Sequence, residues 1–175
     1  RELEQAGARL ITTSCGFLVL HQKTLQAAVT VPLVSSSLLA VPIASGHLRP
    51  RGLRPAILTI SANNLTGAHL HAAGCPADTP IGAPGPNSHF CTRILDNCET
   101  MDKATARQDV IAAATELIRG HSNIGALILE CTNMPPYASD LAQLFNIPIL
   151  SLPALLPDCQ TGLSFAAATR KALAI

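Results

Sequence analysis

A chain of 175 residues, 48% apolar and only 13% charged, holds enough apolar side chains to bury a core and is too poor in charge to be disordered. Its net charge of +1, with no basic run, and its few aromatics (four Phe and one Tyr) exclude a nucleic-acid surface or an anionic-membrane patch. No apolar run reaches the ~18 residues of a spanning helix, and the opening RELEQAGARL lacks a signal peptide's apolar stretch, so no membrane and a cytoplasmic location are expected.

Apolar runs of strand length alternate with helical patterns along the chain. Arg1 to Ala6 reads as the end of a helix, closed by Gly7 at a left-handed cap. Ala8 to Thr13 reads as a strand, Gly16 to Ala28 has helical spacing, and Val29 to Val34 is a second strand. Ser35, Ser36 and Ser37 then form an N-cap cluster for a helix through about Ala44. The Gly-, Pro- and Arg-rich stretch SGHLRPRGLRP, Ser45 to Pro55, reads as a linker between two βα series.

Beyond it, Ala56 to Ser61 is a strand and Leu65 to Ala73 a helix stopped by Gly74, followed by a proline-rich loop from Cys75 to Asn87. Ser88 to Asp96 reads as a short helix. Asp102 to Arg119 is the strongest helix, with an acidic start, an apolar stripe through Ala106, Val110, Ala113, Ala114 and Leu117, and Gly120 at the stop. Ile124 to Leu129 is a strand, Pro135 to Phe145 a helix, Ile147 to Leu152 a strand and Thr161 to Leu173 a closing helix. Such alternation predicts an α/β fold with mainly parallel sheets and ligands at the carboxyl ends of the strands.

Two of the six cysteines stand at those ends: Cys15 in LITTSCGFL and Cys131 in ALILECTNMPPYASDL. A following helix N-terminus would supply partial positive charge and free N–H groups, lowering each thiol toward ionisation. The flanks Thr13, Ser14 and Gly16, and Thr132 and Asn133, offer the short hydroxyls, amide and bare backbone that a carboxylate needs. Ser36 and Asn63 stand at the same level, with a helix cap and a plain turn as their structural alternatives. Glu130, beside Cys131, reads as a hydrogen-bonding partner before it reads as an acid catalyst. Two thiols flanking a bound carboxylate can remove an α-proton from one face and return one to the other, a two-base racemisation.

Other chemistry finds no support. His69, His71, Cys75, His89, Cys91 and Cys98 lack metal-ligand spacing, so no metal is expected. Three lysines (Lys23, Lys103, Lys171) without a phosphate cradle argue against pyridoxal phosphate, and no glycine-rich nucleotide loop is present.

T-T-S-C-G-F at 12 to 17 and L-E-C-T-N-M-P-P-Y-A at 129 to 138, supported by V-P-L-V-S-S-S-L-L at 31 to 39 and A-I-L-T-I at 56 to 60, resemble the aspartate/glutamate/hydantoin racemase superfamily. The resemblance implies two flavodoxin-like α/β lobes related by a pseudo-two-fold, with no cofactor and a catalytic cysteine from each lobe. By motif position these are Cys15 and Cys131, with Thr132 and Asn133 as substrate ligands. The lobes would divide as residues 1–50 with 155–175 and residues 51–154. Against the family pattern Arg1 stands inside the opening helix, so the opening segment of the first lobe is expected either to be lost from the protein or to lie before Arg1. The expected activity is racemisation of a small acidic amino acid or related carboxylate. A cis-trans isomerase of an unsaturated diacid and a non-catalytic binding member are the alternatives, and the sequence is compatible with a homo-oligomer.

Overall fold

The computed structural model describes residues 1–174. Its first sheet pairs β1 (Ile11–Thr12) with β2 (Leu33–Val34), and its second joins β3 (Arg54–Leu58), β4 (Ile81–Gly82), β5 (Ile124–Leu129) and β6 (Ile149–Ser151). All pairings are parallel, and the second sheet runs in the order β4-β3-β5-β6. Every residue of β5 is buried, as a strand covered on both faces must be. The register of β3 against β5 slips between Arg54 and Pro55, where the proline has no N–H to give the ladder.

Alternation along these strands divides the core into two layers. Ala56, Leu58, Leu127 and Leu129 face α5 (His89–Leu95), α6 (Lys103–Arg119) and α7 (Ala138–Phe145). Ile57, Ala126, Ile128 and Leu150 face α3 (Val41–Leu48) and α4 (Gly67–Ala73), together with α8 (Leu152–Gln160) and α9 (Phe165–Leu173). Phe90 is the largest fully buried side chain, and its ring meets Tyr137 edge-on with centroids 6.1 Å apart. The stripe read for α6 is its buried face, and Asp102 caps it by accepting from Thr105 N at 2.7 Å.

The small sheet is held by side chains as much as by strands. β1 covers one edge of β2, while Gln22 and Gln26 of α2 (Gln22–Ala27) serve the other. Gln22 Nε2 donates to Leu33 O at 2.8 Å and its Oε1 accepts from Ser35 N at 2.9 Å. One turn along, Gln26 Nε2 donates to Val31 O at 3.0 Å and its Oε1 accepts from Leu33 N at 2.8 Å. Two amides spaced i, i+4 thus satisfy backbone groups that would otherwise need a third strand. At the other end of this segment, Glu4 of α1 (Glu2–Gln5) accepts from Thr30 N and Val31 N.

Several expectations are corrected. The stretch expected as a linker is the end of α3, a 3-10 turn over Arg49–Arg51 closed by Gly52 at φ 70°, and the start of β3. Glycine and proline there make a tight helix-to-strand turn. Although α3 belongs to the first 50 residues, it packs on the second sheet through Val41, Ala44 and Leu48. The first two strands are shorter than the apolar runs suggested. Gly16 to Ala28 splits into a 3-10 segment (Gly16–His21) and α2. The proline-rich loop contains β4, and PALLPDCQ, to which no element was assigned, forms most of α8, capped by Ser151. Pro153 sits in the first turn, where no N–H donor is required. Among the described residues no helix is long and apolar enough to cross a membrane.

Phe90→Ala should destabilise the fold by about 3–5 kcal/mol through the cavity it leaves, and Gln22→Ala by about 1–3 kcal/mol through the β2 backbone groups it strands. Urea unfolding at constant slope measures both.

Candidate functional site

The carboxyl ends of β1, β2, β3 and β5 open at one level, and polar residues there stitch the two sheets together. Thr13 Oγ1 donates to Ser35 O at 2.6 Å, joining the turns that leave β1 and β2. Ser37 Oγ, fully buried, crosses to Leu129 O at the end of β5 at 2.8 Å. Thr132 Oγ1 donates to Ser14 O at 2.6 Å. The residue after Cys131 is thereby bonded to the residue before Cys15. Gly16 tightens the same contact: a Cβ there would stand 2.7 Å from the carbonyl oxygen of Glu130 and 2.9 Å from its carboxyl carbon, with Oε1 nearer still. Only glycine lets the Cys15 loop approach the Cys131 loop this closely.

The two thiols occupy different surroundings. Cys15 is exposed at the start of the 3-10 segment, whose Phe17 stacks at a tilt on His69 with centroids 4.9 Å apart. Cys131 is 7% exposed and packed into the core layer below β5. Burial, with smaller contributions from the charge of Glu130 and from Cys91, pushes its thiol up to about 11, against hydrogen bonding from the Asn133 backbone and side chain. The expected lowering by a helix N-terminus does not occur at Cys131. A turn and the 3-10 segment Pro135–Tyr137 intervene before α7, so the free N–H groups lie too far along the chain.

Glu130 is 3% exposed, and its Oε2 accepts from Thr59 Oγ1 at 2.7 Å. Burial pushes its carboxyl from an ordinary 4.5 up to about 7, with the Thr59 hydrogen bond opposing the rise. Thr59 escaped the sequence reading; its only signal was a hydroxyl closing the apolar strand AIL.

The remaining candidates divide. Thr13, Ser14, Gly16, Thr132 and Asn133 surround the cysteine pair, and Asn133 Nδ2 lies 4.0 Å from Cys131 Sγ. Ser36 is fully buried and its Oγ accepts from Leu38 N at 3.1 Å, capping the turn into α3. Asn63 is exposed on a cavity of about 530 Å³ along the β4 edge, shared with Ser61, Pro84 and Leu117. That cavity is lined by neither cysteine, so it is spatially distinct from the clasped loops. Among the described residues no three His, Cys, Asp or Glu side chains converge as metal ligands do.

No family model matches the chain. It is 25% identical over 158 residues, 83% of its length, to a dimethylsulfoniopropionate lyase of Durusdinium sp. clade D, and spans half the length of that curated relative. Among solved structures it resembles allantoin racemase from Klebsiella pneumoniae (TM-score 0.56, 15% identity, covering 97% of this chain and 60% of that one). It also resembles unliganded arylmalonate decarboxylase (TM-score 0.53, 14% identity, 98% and 69%). A glutamate racemase from Bacillus anthracis matches at TM-score 0.51 and 18% identity, over 85% and 55%. The chain has the fold of the aspartate/glutamate racemase superfamily.

Burial holds Cys131 as the uncharged thiol near neutral pH. Iodoacetamide should therefore label Cys15 at least ~10-fold faster than Cys131, read by peptide mass spectrometry. The folded carboxyl of Glu130 titrates above its unfolded one. Its contribution to stability is thus whole below 4.5 and lost as pH rises through about 7, by on the order of 3 kcal/mol. Glu130→Gln, which cannot ionise, should remove that slope from stability measured by denaturant unfolding across this range.

Proposed function

We propose that the protein is an enzyme of cofactor-independent proton transfer at a carbon next to a carboxylate, with Cys15 and Cys131 as the working pair. The reading rests on one observation, the hydrogen bond from Thr132 Oγ1 to Ser14 O at 2.6 Å, which brings the two cysteine loops together. The different surroundings of the thiols suit different duties. Exposed Cys15 acts as the thiolate that takes the α-proton. Buried Cys131, held as a thiol, supplies a proton from the opposite face. The electron pair released from the C–H bond enters the carboxylate and then takes up the Cys131 proton. The configuration is inverted, with Cys15 left protonated and Cys131 ionised. Asn133 Nδ2 is placed to donate to that new thiolate. The substrate class is a small acidic amino acid or related carboxylate.

The similarity to a dimethylsulfoniopropionate lyase favours a second outcome of the same first step. If the carbon beside the α-carbon carries a sulfonium group, the electron pair expels dimethyl sulfide and leaves an unsaturated carboxylate. Elimination needs the base but no proton return, so the two readings separate at Cys131.

In deuterated water the protein should exchange α-protons of its substrate. Cys15→Ser and Cys131→Ser should each abolish racemisation, while failing to exchange opposite enantiomers. Release of dimethyl sulfide from dimethylsulfoniopropionate that survives Cys131→Ser would install the lyase reading instead. No exchange and no elimination across acidic amino acids, diacids and the sulfonium substrate would leave a binding protein.

A further inference from the structure

The larger sheet ends at β4, and among the described residues no strand lies beyond it. Ile57 N donates to Pro80 O and Thr59 N to Gly82 O, both at 2.9 Å, so the even-numbered residues of this stretch turn their backbone toward β3. By the alternation of a strand, Ile81 and Ala83 turn theirs to the free edge. Exposed edges are normally blunted by charged side chains, or by a proline whose missing N–H interrupts the outer row. Here the stretch from 79 to 86, TPIGAPGP, holds no charge, and Pro80 and Pro84 both fall on the β3 side by the same alternation. The cavity of about 530 Å³ follows this edge between β4 and the last turns of α6, and Leu95, 58% exposed, lines it as well. An uncharged edge with apolar walls is a place for a strand to add.

We propose that a second copy of this chain adds there, β4 against β4, antiparallel about a two-fold axis through Gly82. In that register Ile81 exchanges its N–H and C=O bonds with the partner's Ala83, and Ala83 does the same with the partner's Ile81. The two copies of Gly82 face each other as a non-hydrogen-bonded pair, the closer kind, and the absence of a side chain admits the approach. Gly82 also fixes what lies above the axis. A Cβ on it would stand 3.0 Å from Leu117 Cβ, so Leu117 of α6 marks the level of the axis. An axis at that level brings Glu116, which lines the groove, opposite the partner's Arg119, and Arg119 opposite the partner's Glu116. Both residues are exposed, and among the described residues neither takes part in an ion pair. The spacing also fits. Helix α6 lies over both β3 and β4, about half a strand spacing inside the edge, so its two copies stand about 10 Å apart, the distance at which helices pack. A self-complementary edge with opposite charges at matching levels selects a second copy over an unrelated strand.

Sedimentation equilibrium of the whole chain at ~50 μM should read twice the mass of one chain. Ala83→Pro removes an outward N–H that bonds nothing among the described residues, so it should read the single mass with unchanged circular dichroism. Glu116→Arg and Arg119→Glu, both on the exposed face of α6, should each raise the dissociation constant of the dimer ~10-fold, because the two-fold axis makes every like-charge contact occur twice. An equimolar mixture of these two variants should recover the parent affinity, since each meets its opposite charge only across the interface. Charge pairing within one helix would gain nothing from mixing. A parent chain that stays monomeric overturns the inference, and an edge reserved for another protein's strand gives that result. A dimer that survives Ala83→Pro overturns it as well, as does a mixture that associates no better than either variant alone. Should Ala83→Pro fail to fold, the charge variants decide the matter by themselves.

Discussion

A buried carboxyl pressed against a glycine sets the distance between the two halves of this protein. Glu130 ends the central strand of the larger sheet, and Gly16 starts the segment that leaves the smaller one. Their contact leaves no room for a side chain at position 16. The Thr132 hydroxyl fastens the same junction from the other side, and Ser37 crosses to Leu129 behind it. Both hydrogen bonds join a side-chain hydroxyl to a backbone carbonyl across the junction, so the alignment of the sheets depends on the rotamers of Thr132 and Ser37.

That junction explains why two cysteines in similar motifs have dissimilar chemistry. The Cys131 loop follows a strand covered on both faces, so its thiol enters the core and desolvation dominates. The Cys15 loop follows a two-residue strand at the edge of a two-stranded sheet, and its thiol stays in solvent.

The small sheet shows how few strands such a junction requires. Gln22 and Gln26 replace a third strand with two side-chain amides. Helix α3, although it precedes β3 in the chain, stands on the larger sheet. Motion of the Cys15 loop relative to the Cys131 loop would have to break the Thr132–Ser14 hydrogen bond.

Much of the architecture was legible in the chain itself. Continuous apolar runs marked β3 and β5, the stripe and acidic cap marked α6, and their alternation implied parallel sheets, because these signals come from neighbours in sequence and the periodicity of burial. Both cysteine motifs and their polar flanks could be named for the same reason. Local pattern failed where distant groups decided the outcome. Side-chain amides took the outer edge of β2, a serine cap and a tolerant first turn made α8 from a proline-rich stretch, and glycine and proline made a turn where they had suggested a linker. The character of the site was also tertiary. The raised pKa values of Cys131 and Glu130 come from desolvation in the folded chain, and the Thr59 hydrogen bond that opposes the rise at Glu130 spans 71 positions. Sequence order reveals which groups can ionise, but only folding decides how much water they keep.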